Sequence, residues 1–252
     1  MAGLTLLHVS VNTLNEYFDY KTGIDLRTVK TPFSGGSGML PAGLLQPSAV
    51  LKLGLICFGA AAVVGCYFLA VVGLILAPIL ALGALFTLGY TQLLTRVGLG
   101  EVAAGLGLGA LPVVGAYLVH TGFYTADVFQ AAVPPGILTF NLLFLNEFPD
   151  LEADRAGGRR NLVMLLGLGR ASTVYKTLTA FVYAYLAMGI MFNWYPKAML
   201  LCFATIPLAF KASKNLQPRL NDFSRLVEAL KANVMVVLAT QSLMALAYIL
   251  PV

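Results

Sequence analysis

Charge is scarce in this chain. Lys, Arg, Asp and Glu together make up 11% of its 252 residues, less than half of the roughly 25% found in an ordinary soluble domain. That shortage excludes a disordered chain, a collagen-like chain and a typical water-soluble enzyme. Strict alternation of apolar and polar residues is also missing, because the apolar residues come in unbroken runs. A transmembrane β-barrel is excluded on that ground. Histidine is rare: His8 and His120 have no partner at metal-ligand spacing and read as structural. The three cysteines, Cys57, Cys66 and Cys202, all lie inside apolar runs. Cys57 and Cys66 fall on opposite sides of one helix, so they form neither a disulfide nor a metal clip with each other. Residues 1–14 lack a basic leader and a cleavage site, so no cleavable signal peptide is expected.

What is present is apolar length. Hydrophobic residues make up 59% of the chain. The runs lie at 48–69, 71–94, 101–119, 127–146, 171–193, 197–213 and 230–250, with a short one at 1–14. Seven runs are long enough for a membrane span and the first is a stub. The expected fold is all-α, a polytopic transmembrane helical bundle of about eight spans forming a single domain over residues 1–252. Pro134 and Pro135 should kink the 127–146 span. Trp194 sits where an interfacial anchor belongs.

Threading the spans alternately puts every Lys and Arg except Lys197 on one face, together with every Asp and Glu except Asp127. The positive-inside rule makes that face cytoplasmic. It also makes the net charge of +5 a report on topology, so no nucleic-acid partner is expected. Acidic residues do not follow this rule, so their clustering needs another cause.

Two clusters supply it. Asn15, Glu16, Asp19 and Asp25 form the first, and Asn146, Glu147, Asp150 and Asp154 the second, each at the cytoplasmic end of an apolar span. Asn15 and Asp19 are four apart, as are Asp150 and Asp154, so each pair shares a helical face. Gly23 lets the chain turn and bring Asp25 back towards that face. Pro149 suits the first turn of a new helix. Carboxylates gathered on one face repel unless a cation lies between them. Hard oxygen donors suit Mg²⁺, which keeps open positions for water or substrate phosphate. Two facing clusters could hold two Mg²⁺ ions with a diphosphate between them. Lys21, Lys30, Arg155, Arg159 and Arg160 are the nearby cations that would neutralise its remaining charge. The glycine-rich segment Phe33–Gly38 is either a phosphate-cradling nest or a mobile loop. Glu101 reads as a charge at the start of its own helix. Tyr17, Tyr20, Tyr90 and Tyr117 are candidates for an aromatic lining or an interfacial belt.

These motifs, NEYFDYKTGID at 15–25 and DLEAD at 150–154, resemble the UbiA superfamily of intramembrane prenyltransferases. The segments TPFSGGSGMLPAGLL (31–45), VGLGEVAAGLGLGALPVVGAYLVHTG (97–122) and DRAGGRRNLVMLLG (154–167) resemble its menaquinone branch, the 1,4-dihydroxy-2-naphthoate polyprenyltransferases. The likeness runs from about residue 5 to about residue 170. It implies a multi-pass enzyme of the cell (inner) membrane with its site facing the cytoplasm. An allylic polyprenyl diphosphate would ionise there and its allyl cation would be attacked by an aromatic acceptor. Asn15, Asp19 and Asp25 would be the first metal cluster, and Asp150 and Asp154, led by Asn146, the second. Asp19, Asp25, Asp150 and Asp154 would carry the catalysis. Asn15, Lys21, Lys30, Asn146, Arg155, Arg159 and Arg160 would bind substrate.

The chain departs from the family pattern in four places. Glu16 stands for an Asp, Glu147 for a frequent second Asn, and Pro149 for a frequent Arg. Arg155 or Arg159 is expected to supply the missing cation. The family also has nine spans, and its first motif closes the second of them. Only about 14 residues precede that motif here, roughly 21 Å of helix against a hydrocarbon core of about 30 Å. The expectation is that the full-length protein begins some tens of residues upstream. Other readings stay open: a different acceptor (4-hydroxybenzoate, a haem precursor or a glyceryl phosphate lipid), a cation transporter, or an inactive scaffold. A transporter should carry ionisable groups near the bilayer midplane, and the apolar runs are almost free of them.

Overall fold

The computed structural model describes residues 1–217 and 222–250. Its described residues form helices and turns, with no strand among them. The order is α1 (Ala2–Thr22), α2 (Pro47–Val72), a 3₁₀ turn (Leu74–Leu76) running into α3 (Ala77–Leu88), α4 (Gly100–Ala104), a π-helical turn (Gly105–Ala110), α5 (Leu111–Thr121), α6 (Ala126–Ala156), α7 (Leu162–Met191), a 3₁₀ segment (Lys197–Thr205) leading into α8 (Ile206–Asn215), and α9 (Phe223–Ile249).

Local sequence explains many of these boundaries. Pro47, Pro78, Pro112 and Pro207 lie in first turns, where a missing N–H costs nothing. Thr125, Asn161 and Asp222 are N-caps whose side chains accept from the backbone N–H three residues on. Gly23, at φ 78°, closes α1.

Five stretches are long and apolar enough to cross a membrane: Pro47–Val72, Gly100–Thr121, Ala126–Ala156, Leu162–Met191 and Phe223–Ile249. The expected run at 71–94 is shorter, because its helix stops at Leu88 and the chain turns before Gly100. The run at 197–213 is divided between a 3₁₀ segment and α8. The charged stretch 211–231 between the last two runs lies partly outside the described residues, at 218–221.

Two helices differ from expectation in ways that shape the site. The stub at 1–14 is the beginning of α1, which continues through Asn15 and Asp19 to Thr22. Pro149 does not open a new helix. It lies inside α6, which also runs through Pro134 and Pro135 as far as Ala156. A proline removes one backbone hydrogen bond, and the packing of α6 against its neighbours keeps the helix whole. Asn146, Asp150 and Asp154 therefore stand on one helix with the membrane-buried residues of the same span.

α6 packs against α7, α9 and the α4–π segment, while α1 packs against α2 and α3. The α4–π contact depends on glycine. A Cβ at Gly109 would lie 2.5 Å from the Pro135 carbonyl oxygen, and one at Gly105 would lie 2.8 Å from that of Gly136. Phe144, Phe148, Tyr175 and Leu230 fill one core between α6, α7 and α9. Polar links cross it: the Tyr175 hydroxyl donates to Asn233 Oδ1 at 2.9 Å, and Asn233 Nδ2 donates to the Asn141 carbonyl at 3.1 Å. Such pairs help fix helix register where no water competes. Cys57 is buried, Cys66 is exposed, and all three cysteines are free.

Candidate active site

The two acidic motifs meet at one end of the bundle, and the end of α1 is built first. Gly23 adopts a left-handed conformation, so the Ile24 N–H bonds back to the Asp19 carbonyl at 2.9 Å. That turn returns Asp25 to the Asp19 face, and both carboxyls are buried. Asn15 lies one turn before Asp19 and donates Nδ2 to Asp19 Oδ2 at 2.8 Å. Thr91, from the turn after α3, donates to Asn15 Oδ1 at 3.0 Å.

The second motif is fixed by the turn after α6. Gly158, at φ 79°, lets the chain reverse, and the Arg159 N–H bonds to the Asp154 carbonyl at 2.9 Å. A Cβ on the neighbouring Gly157 would lie 2.1 Å from Ile24 Cγ1. A larger residue there would have to displace the buried Ile24 side chain that lies between the two motifs. Asn161 caps α7 and donates Nδ2 to Asp154 Oδ2 at 3.0 Å.

Arg159 occupies the junction. Its guanidinium bonds Asp19 and, at 2.7 Å, Asn15 Oδ1. It stands 3.5 Å from Asp154 Oδ1. Its Nε–H is buried without a partner. The charges of Asp19, Asp25, Asp150 and Asp154 act on one another. Asp25 Oδ2, Asn146 Oδ1, Asp150 Oδ1 and Asp154 Oδ1 are buried and accept no hydrogen bond. Buried oxygens without donors are costly, and a hard divalent cation is the group that repays them. The donor chemistry therefore fits Mg²⁺. Among the described residues, no three His, Cys, Asp or Glu side chains already converge as a ligand set.

The basic residues divide sharply. Lys30 lies beside Gly38, and its charge acts on Asp25. Lys21 is exposed, with Nζ 3.4 Å from the Tyr17 hydroxyl. Arg155 is exposed and pairs with Glu152 at 3.2 Å, and Arg160 is exposed. None of these three joins the cluster, so the cation at its centre is Arg159. The glycine-rich loop covers this end of α1. Ser37 donates both its N–H and its hydroxyl to the Glu16 carboxylate, and Asp25 lies against Gly36.

Thr91 and Asn161 escaped the motif reading because their roles depend on turns that spacing does not define. Glu101 lies in the first turn of its own helix, as expected, and also reaches a second helix. Its carboxylate accepts the Leu162 N–H at the start of α7.

Burial, and after it the Glu16 charge, push the Asp25 carboxyl up to about 6, against the pull of Arg159 and Lys30. A raised carboxyl favours the folded state at low pH. Its contribution is fully present below the ordinary carboxylate range and is lost as pH rises through about 6. In EDTA, the melting temperature should rise as pH falls from about 7 to about 5. A divalent cation bound there would favour the ionised form, so added Mg²⁺ should flatten or reverse that trend. Fluorescence of the single tryptophan, Trp194, can follow the unfolding. A melting temperature in EDTA that drops on acidification would contradict the assignment of Asp25.

An open cleft of about 710 Å³ lies beside the bundle. Ile79, Leu82, Leu106, Val114, Phe129 and Phe140 are among its almost wholly apolar lining. Phe140, on its lining, and Asn146 are six residues apart on α6, about 9 Å of rise.

Comparison with known proteins gives one consistent result. The UbiA prenyltransferase family matches residues 1–225. A Bacillus subtilis (strain 168) protein named 1,4-dihydroxy-2-naphthoate octaprenyltransferase is 26% identical over 215 residues, covering 82% of this chain and 67% of its own. The Danio rerio UbiA prenyltransferase domain-containing protein 1 is 28% identical over 225 residues, covering 85% of this chain and 63% of its own. A Synechocystis protein named 2-carboxy-1,4-naphthoquinone phytyltransferase is 29% identical over 127 residues, covering 50% of this chain and 39% of its own. The chain thus spans about two thirds of the length of the first two relatives.

Proposed function

The chain belongs to the UbiA prenyltransferase family, and we propose that it transfers a polyprenyl group from an allylic diphosphate to an aromatic acceptor, 1,4-dihydroxy-2-naphthoate, at the cytoplasmic face of the cell membrane. The observation that carries this reading is the closure of the two acidic motifs around Arg159, with buried oxygens left without donors. The apolar cleft below supports it by offering a dry place for a polyprenyl tail.

In this reading Asn15, Asp19 and Asp25 hold one Mg²⁺, and Asn146, Asp150 and Asp154 the other. Bound there, Mg²⁺ supplies Lewis-acid stabilisation of the charge that grows on the diphosphate. Arg159 neutralises Asp19 and Asp154 and offers its free Nε–H to a diphosphate oxygen. Lys30 adds a second cation from the covering loop. These groups act most strongly as the bond from prenyl C1 to the diphosphate oxygen breaks, which is where catalysis gains. The cleft walls keep water from the allyl cation. The carboxylate-bearing ring carbon of the acceptor then bonds to C1, and that carboxylate leaves as CO₂, its bonding pair restoring the aromatic ring.

The test is an acceptor panel. Membranes holding the protein are given a polyprenyl diphosphate, Mg²⁺ and one acceptor at a time: dihydroxynaphthoate, 4-hydroxybenzoate, a haem precursor or glyceryl phosphate. Prenylated naphthalene product with matching CO₂ release is expected. Product from another acceptor alone would overturn the naphthoate assignment.

A further inference from the structure

The two ligand sets differ in how many of their oxygens are already engaged. In the first, Asn15 Oδ1 accepts from Thr91 at 3.0 Å and from Arg159 at 2.7 Å. An amide oxygen has two lone pairs, so both are taken. Asp19 accepts from Asn15 on Oδ2 and from Arg159 on Oδ1. Asp25 Oδ2 is the one buried oxygen of this set without a partner. In the second set, Asn146 Oδ1, Asp150 Oδ1 and Asp154 Oδ1 are all buried without a partner. They must draw together to ligate an ion, but none has to give up a hydrogen bond.

Arg159 accounts for the difference. One terminal nitrogen, Nη2, donates to both Asn15 Oδ1 and Asp19 Oδ1. A divalent ion reaching the first set would lie against this guanidinium, where two like charges repel with little water to screen them. Moving the one side chain frees both oxygens together. A diphosphate supplies the reason to move. It is a multiply charged anion that an arginine fork grips by two parallel N–H groups. The Nε–H of Arg159 has no partner to lose. The same diphosphate offers oxygens to the incoming ion.

We propose that Arg159 sets the order in which the site takes up its two Mg²⁺ ions. Asn146, Asp150 and Asp154 take the first without help. Asn15, Asp19 and Asp25 take the second once a diphosphate has drawn Arg159 off Asn15 and Asp19. The inference rests on the prenyltransferase reading and adds regulation to that same site. Arg159 thereby ties completion of the metal centre to the presence of substrate, so the full stabilisation of the leaving group is assembled around a diphosphate and not before it. The coupling is reciprocal: diphosphate tightens the second ion, and the second ion tightens diphosphate by the same factor.

The test counts ions and leaves turnover aside. Mn²⁺ stands in for Mg²⁺, and its binding to the purified full chain is followed by equilibrium dialysis and electron paramagnetic resonance. A protein-free dialysis corrects for the Mn²⁺ that diphosphate holds in solution. The wild type should bind one ion per chain alone and two with inorganic diphosphate. Without diphosphate, Asp150→Asn should lose the single ion and Asp19→Asn should keep it. Arg159→Gln should bind a second ion without diphosphate, its first set tightened by ~10-fold or more, the scale of a hydrogen bond to a charged group. Melting temperature checks that each variant folds, and the wild-type counts decide the matter if Arg159→Gln does not. Two ions in the wild type without diphosphate, or one ion with it, overturns the ordering. So does a single ion that survives Asp150→Asn or is lost in Asp19→Asn, and so does a folded Arg159→Gln that still binds one. Each of these leaves the prenyltransferase reading standing. No ion under any condition sinks the metal centre, and that reading with it.

Discussion

Asp19→Ala, and separately Asp150→Ala, should lower prenyl transfer by at least ~10³-fold while leaving the chain in the membrane. Asp19 carries the larger structural risk. It is 4% exposed and takes bonds from Asn15 and Arg159. Removing it leaves Arg159 with fewer partners in a buried place, which costs stability as well as activity. Asp19→Asn, which keeps the shape, separates the two effects: activity should still collapse while the melting temperature holds. Asp150 is simpler, because its Oδ1 has no partner to lose. A large loss of turnover with little change in melting temperature at Asp150 would assign its role to ligand binding. Turnover persisting in both alanine variants would refute the metal assignment.

Arg159→Ala should reduce kcat by ~10²- to 10³-fold, the scale seen when one donor to a developing oxyanion is removed. Arg155→Ala should change it by less than ~2-fold, since Arg155 is tied up in an exposed pair with Glu152. The two arginines are four residues apart and chemically identical, so the contrast isolates placement. Steady-state turnover at saturating substrate reads both. Equal losses in the two variants would remove Arg159 from the centre of the site.

Much of the geometry of this candidate site was legible in the sequence. Asn15 with Asp19, and Asp150 with Asp154, share a face because four residues make nearly one helical turn. The 2.8 Å bond from Asn15 to Asp19 is that rule in three dimensions. Gly23 as the turn that recovers Asp25 was equally readable. The choice among Lys21, Arg155, Arg159 and Arg160 was not. It depends on the reversal at Gly157 and Gly158, and on the packing of Ile24 against Gly157, which are tertiary facts. Pro149 misled for a related reason. Local propensity reads a proline at a span boundary as a new start, whereas tertiary packing carries α6 straight through it.

The most direct test of the central claim is product formation by the purified chain from a radiolabelled polyprenyl diphosphate and dihydroxynaphthoate, with Mg²⁺ or with EDTA. The predicted result is a prenylated product and an equal amount of inorganic diphosphate with Mg²⁺, neither with EDTA, and both again when Mg²⁺ is restored. Product formed equally well in EDTA, or no product from any aromatic or lipid acceptor with Mg²⁺ present, would contradict the account.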